Sequence, residues 1–173
     1  MADVPDQLVL KVARDREGRR DVVARRIIFS ALLVVLALGL LNLFGQRPAT
    51  TTTEAPAARL EVYAPERVRG GIYYQARFTI DAIRQLEDAT LVLDPGWAEG
   101  ITVNTIVPGP LGEASRDGKL AFELGRVPAG DKHVFFLQLQ VNPTNVGRRD
   151  QDVQLFDGDE LLATIDRSIT IFP

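Results

Sequence analysis

The feature that most restricts this chain is the run Ile27–Phe44, IIFSALLVVLALGLLNLF, 18 residues without a charge. As an α-helix it extends about 27 Å, close to the roughly 30 Å hydrocarbon core of a bilayer. Ser30 and Asn42 are its only polar side chains, and each stands near an end. A helix lying on a membrane surface needs a polar face, and this run has none. A core helix this apolar would need more covering surface than a small domain offers. The run is read as one transmembrane α-helix over 27–44, with the lipid bilayer as its first partner.

The flanks orient it. Before Ile27 lie seven basic residues: Lys11, Arg14, Arg16, Arg19, Arg20, Arg25 and Arg26. The twenty residues after Phe44 hold only Arg47 and Arg59. Basic residues stay on the cytoplasmic side, so Arg19, Arg20, Arg25 and Arg26 act as topology determinants. The N-terminus is placed in the cytoplasm and the C-terminal part outside the plasma membrane. A cleaved signal peptide would have a shorter apolar region and a small-x-small site at its end. Here the run ends in bulky Leu43 and Phe44, and Ala55-Pro56-Ala57 lies too far downstream. An uncleaved signal-anchor fits better.

Three further segments follow. Residues 1–26 read as a charged cytoplasmic tail. Its seven bases are diluted by five acids, which is not a nucleic-acid-binding pattern. Residues 45–58, GQRPATTTTEAPAA, lack hydrophobic periodicity and read as a linker, with Thr50–Thr53 as an O-glycosylation candidate. Residues 59–173 change period to two. Ile72, Tyr74, Ala76, Phe78 and Ile80 alternate with Tyr73, Gln75, Arg77, Thr79 and Asp81. His133, Phe135, Leu137, Leu139 and Val141 alternate with Val134, Phe136, Gln138 and Gln140. Further strands are expected at 59–63, 89–93, 101–107, 120–124, 152–157 and 161–172. Asp81–Asp88 is the only candidate for a helical turn. Asp94-Pro95-Gly96, Asp117-Gly118, Asn142-Pro143-Thr144 and Asp157-Gly158 mark turns, the last of them a hairpin.

Short strands separated by regular turns predict an all-β fold, an antiparallel sandwich of immunoglobulin-like type. A jelly roll or a small barrel is the alternative. The chain has no Cys, so the sandwich must hold by core packing alone, and no thiolate chemistry is available. Four stretches resemble the Ig-like repeat domains of bacterial surface proteins. They are Gly71–Ile80, Asp94-Pro95-Gly96-Trp97-Ala98-Glu99-Gly100, Asp117–Phe122, and Leu124–Gly130 leading into His133–Val141. The resemblance implies a sandwich and an exported location, and transfers no catalytic residues. Seventeen Arg against three Lys resembles the usage of a high-G+C genome such as an actinobacterium's.

Chemistry is sparse. The one histidine, His133, begins an apolar strand on its inward register, which fits a residue at the core's edge. No nucleophile motif, phosphate loop or metal spacing occurs, so no enzyme, no cofactor and no metal are expected. The acids Asp150, Asp152, Asp157, Asp159 and Glu160 cluster in sequence and read as solvated turns, with calcium as the alternative. The outer segment carries 12 basic and 17 acidic residues, a net charge of −5, which argues against nucleic acid. Three aromatic residues are candidate contacts for a partner or a glycan: Trp97 beside its turn, and Tyr73 and Phe136 on outward registers, where they would form one patch if side by side. The function expected is a single-pass protein displaying an Ig-like module for protein interaction, or serving as an accessory subunit, at the cell envelope, with a membrane protein or a cell-wall component as its partner. A cell-wall or glycan-binding module is the alternative.

Overall fold

The computed structural model describes residues 11–43 and 45–173, with side chains from residue 18 onward. The chain divides into two units, Met1–Leu43 and Phe44–Pro173. The first holds one helix, α1, Lys11–Leu40. Its stretch Gly18–Leu40 is long and apolar enough to cross a membrane, and the most apolar window within it is entirely unburied. Helix α1 starts well before the expected boundary at Ile27, so residues 11–26 are helical rather than a loose tail. It stops at Leu40, short of Phe44. Arg19, Arg20, Arg25 and Arg26 all lie on it and are exposed.

The second unit is built of strands. These are β1 Pro48–Glu54, β2 Ala58–Pro65, β3 Arg67–Arg69, β4 Tyr73–Ala82, β5 Leu86–Leu93, β6 Ile101–Val107 and β7 Gly112–Arg116. There follow β8 Lys119–Val127, β9 Lys132–Val141, β10 Gly147–Asp150, β11 Val153–Asp157, β12 Glu160–Ile165 and β13 Ser168–Phe172. They form a first sheet β1-β2-β4-β9-β6, a second sheet β12-β11-β5-β8-β7 and a small third sheet β10-β13-β3. All pairings are antiparallel except β13 with β3, which is parallel.

The strand order identifies the fold. β2-β4-β9-β6 facing β12-β11-β5 reproduces the A-B-E-D and G-F-C sheets of an immunoglobulin-type sandwich. Beside the C position, a β7–β8 hairpin widens the second sheet. Its turn, Asp117-Gly118, has positive φ at both residues (52° and 77°), as a two-residue I′ hairpin requires.

The core follows from the alternation. Phe78 of β4 and Phe135 of β9 point inward from the first sheet. Phe122 of β8 meets Phe135 from the second sheet, with ring centroids 5.1 Å apart. Leu91, Leu93, Leu155 and Ile165 complete the second inner face, and Val68, Ile169 and Ile171 of the third sheet join the same core.

Several expectations are corrected here. The supposed linker 45–58 contains β1, paired residue for residue with β2 from Pro48↔Pro65 to Glu54↔Arg59. Its threonines are β-branched and suit an edge strand, although they carry no hydrophobic alternation. The stretch 161–172 is two strands in different sheets, broken at Asp166-Arg167. Asp81–Asp88 forms no helix; it is the end of β4, the bend at residues 83–85 and the start of β5.

Candidate functional site

Trp97 lies on a 3₁₀ turn, Pro95–Trp97, that starts at Asp94 after β5. Gly96 of this turn lies so close to the Asp150 carbonyl oxygen that an added Cβ would collide with it. The turn therefore presses onto β10, and Trp97 is driven inward. Only 1% of it is exposed. Its indole Nε1 donates to the Gln151 carbonyl oxygen at 3.0 Å. One face meets Phe78, at 5.2 Å between centroids, and the Arg167 guanidinium stacks 4.8 Å from the ring centre. Trp97 is thus a structural lid and not an exposed contact for a partner or glycan.

Below it sits a buried polar knot. Gln151, fully buried, takes a hydrogen bond on its Oε1 from Arg167 Nη1 at 3.2 Å, and donates from Nε2 to the Gly96 carbonyl at 3.2 Å and the Tyr74 hydroxyl at 3.4 Å. Arg167 Nη2 also donates to the Pro65 carbonyl at 3.1 Å. Burial pushes the Tyr74 phenol up to about 12, against the opposing pull of its Gln151 hydrogen bond and of Arg167. Burial lowers Arg167, while Tyr74 and Glu66 nearby favour its charge. These bonds join β4, the β10–β11 link and the β12–β13 link. Sequence reasoning missed it. Gln151 and Arg167 look like loop residues, and no local signal marks them.

Beside the knot runs a groove of about 510 Å³, where the carboxylates of Glu66, Asp150, Asp152 and Asp166 mix with three arginines, among them Arg167. Asp152 Oδ1 is already committed to the Arg167 backbone N–H at 2.9 Å. The other acids of the sequence cluster are scattered. Asp157 Oδ1 accepts from the backbone N–H of Glu87 and Asp88 at 2.9 and 2.8 Å. Asp159 pairs with Arg116 at 3.2 Å, and Glu160 with Arg84 at 3.1 Å. Among the described residues, no group of three or more metal-ligating side chains converges.

His133 stands at the core's edge, as its register suggested. Its Nε2 is buried with no hydrogen-bond partner among the described residues, and burial lowers its pKa from the usual 6.5.

Tyr73 and Phe136 do lie on one surface, the outer face of the first sheet. They are not side by side. Tyr73 is opposite Gln140, while Phe136 is opposite Arg77, four residues along the strand. That offset is roughly 14 Å. Three cross-strand rows cover this half of the face. The first is Tyr73–Gln140–Thr102, the second Gln75–Gln138–Thr105, and the third Tyr63–Arg77–Phe136–Val107. Tyr73 is 61% exposed and Val107 52%. Phe136 and Val107 border a shallow groove of about 250 Å³ with Gln75, Thr105 and Gln138. Arg77, the single charge in these rows, lies over the Tyr63 ring at 5.0 Å and is paired with Glu61 at 3.5 Å.

No family model matches this sequence, and no curated protein matches it. Among solved structures, the chain is similar to the CARDB domain of the PF1109 protein in complex with di-metal ions from Pyrococcus furiosus. The two are 10% identical, with a TM-score of 0.45, over 71% of this chain and 94% of that domain. A solution structure of the same CARDB domain matches at 8% identity and a TM-score of 0.43, over 74% and 98%. The sporulation control protein Spo0M from Bacillus subtilis matches at 15% identity and a TM-score of 0.34, over 68% of this chain and 50% of that one. The sandwich assignment rests on the strand order given above.

Proposed function

We propose that this chain is a single-pass membrane protein that holds an Ig-like β-sandwich on the outer face of a bacterial plasma membrane, as an interaction or accessory module for an envelope membrane protein. The observation that carries the reading is the helix over Gly18–Leu40, whose most apolar window is entirely unburied. A soluble core helix would be covered. The arginines at its N-terminal end favour a cytoplasmic N-terminus. Cleavage near Ala55–Ala57 would remove β1 and leave β2, still paired with β4, as an uncovered edge strand, which argues for retention of the anchor. The work of the outer unit is binding rather than catalysis, because its one imidazole stands at the core's edge and the groups of its polar knot hydrogen-bond to one another.

The absence of native Cys makes the test direct. Thr144→Cys should react with a membrane-impermeant maleimide in intact cells, and Ala2→Cys only after lysis. The reverse labelling would overturn the orientation, and a mature protein beginning near Ala58 would overturn the anchor. A second reading, a wall- or glycan-binding module, draws its support from the aromatic and amide surface of the first sheet and no longer from Trp97.

A further inference from the structure

We infer that the charge-poor half of the first sheet's outer face is a binding platform for a neutral polysaccharide. The inference rests on the extracytoplasmic placement proposed above and adds a ligand class to it.

The argument starts from charge. In a chain that is 25% charged, the three rows on this half hold one charged side chain, Arg77, already paired with Glu61. Charges return along the strands, first Glu61 in the next row, then Lys132 paired with Asp81 at 3.1 Å and Arg59 with Glu54 at 3.6 Å. A polyanion or a charged peptide would find only Arg77, already paired with Glu61, as a counter-charge. A neutral chain loses nothing by docking.

The second step is hydrogen-bonding type. Gln75, Gln138 and Gln140 offer carbonyl acceptors and NH₂ donors together. Sugar hydroxyls are likewise both donors and acceptors, so either partner can satisfy the other. The third step is spacing. Rows repeat about every 7 Å along the strands. An exposed Tyr73 ring occupies the first, amides the second, and Phe136 beside Val107 the third. A ring–amide–ring alternation suits a ligand that itself alternates apolar ring faces with hydroxyl edges. A protein hot spot instead concentrates its aromatic anchors in one desolvated cluster. These rings are about 14 Å apart with amides between them.

The test uses the full-length protein in a sugar-free detergent, run by affinity electrophoresis through gels containing a galactomannan, a β-1,3-glucan, a xyloglucan or a dextran, with hyaluronate as the anionic control. The expected result is retardation by at least one neutral polymer and none by hyaluronate. Tyr73→Ala and Phe136→Ala should each weaken it about tenfold or more, as loss of an aromatic anchor does. Arg116→Ala, on the opposite sheet, should leave it unchanged. Circular dichroism melting confirms that the variants fold. No retardation by any neutral polymer, equal loss in Arg116→Ala, or stronger binding to hyaluronate would overturn the inference. So would a photo-crosslinker at Gln138 that captures one stoichiometric membrane protein while the polymers bind nothing. That last outcome leaves the maleimide topology result standing, so the two readings fail separately.

Discussion

The two sheets share one core yet present opposite outer faces. On the second sheet, Val92 and Ala121 point outward and are nonetheless buried. Arg116 lies over Phe156 at 3.9 Å and donates to the Gly158 carbonyl at 2.8 Å. Lys119 pairs with Asp94 at 2.6 Å. This surface has closed over itself with its own long side chains. The first sheet leaves Tyr73, Gln75 and Gln138 open to solvent. The difference teaches that exposure of aromatic and amide groups is not a general property of this small domain. It is confined to one face, where no described residue of the second unit covers it.

The contrast can be broken at several depths. The deepest is the shared core. Phe135→Ala removes the ring that touches both Phe78 and Phe122, and should cost about 3–5 kcal/mol by urea denaturation. Both faces would then be lost together. Arg167→Ala leaves Gln151 Oε1 and the Pro65 carbonyl without their donor, and should cost about 2 kcal/mol. The single tryptophan would report it by a red-shifted emission, since Arg167 covers Trp97.

The faces themselves separate at the next level. Arg116→Ala uncovers Phe156 and should cost about 1 kcal/mol. Tyr73→Ala, already exposed, should change stability by less than ~0.5 kcal/mol. Equal costs for the two would remove the distinction between a closed and an open face.

Two further effects, absent near neutral pH, appear when pH is moved. His133 is held neutral, so the unfolded chain binds a proton that the folded chain resists. Its contribution is fully present above pH 6.5 and falls as pH drops below that value. The melting temperature of the protein relative to His133→Leu should decline from pH 7 to pH 5. At the other end, the unfolded Tyr74 ionises near 10 and the folded one near 12, so stability should fall as pH rises through that window. Phenolate absorbance should show one tyrosine titrating near pH 12, lost in Tyr74→Phe.

Most of the fold was legible as alternation. Gly71–Ile80 and His133–Val141 read directly as β4 and β9, because each buries one face and leaves the other exposed. The Asp157-Gly158 hairpin was legible from turn chemistry. β1 was not, because its side chains are half-buried threonines and its order comes from backbone bonds to β2. The split of 161–172 was hidden for a related reason. Asp166-Arg167 looks like a polar interruption within one strand, whereas it carries the chain between sheets. Of the candidate contacts, Tyr73 and Phe136 were placed on the correct face by period two alone. Their 14 Å offset was not readable, since register depends on which strand lies beside which.

The sequence by itself determined the apolar helix, the inward and outward sets of each long strand, and the absence of disulfides. Those follow from local periodicity and composition, which need no partner. The tertiary structure decided which outward face stays open, and it decided the fate of Trp97. A tryptophan after a Pro-Gly turn can face solvent or core with equal local comfort. Here Gly96 packs against Asp150 and Arg167 stacks on the ring, two contacts supplied by residues more than fifty positions away, and together they fix it inside.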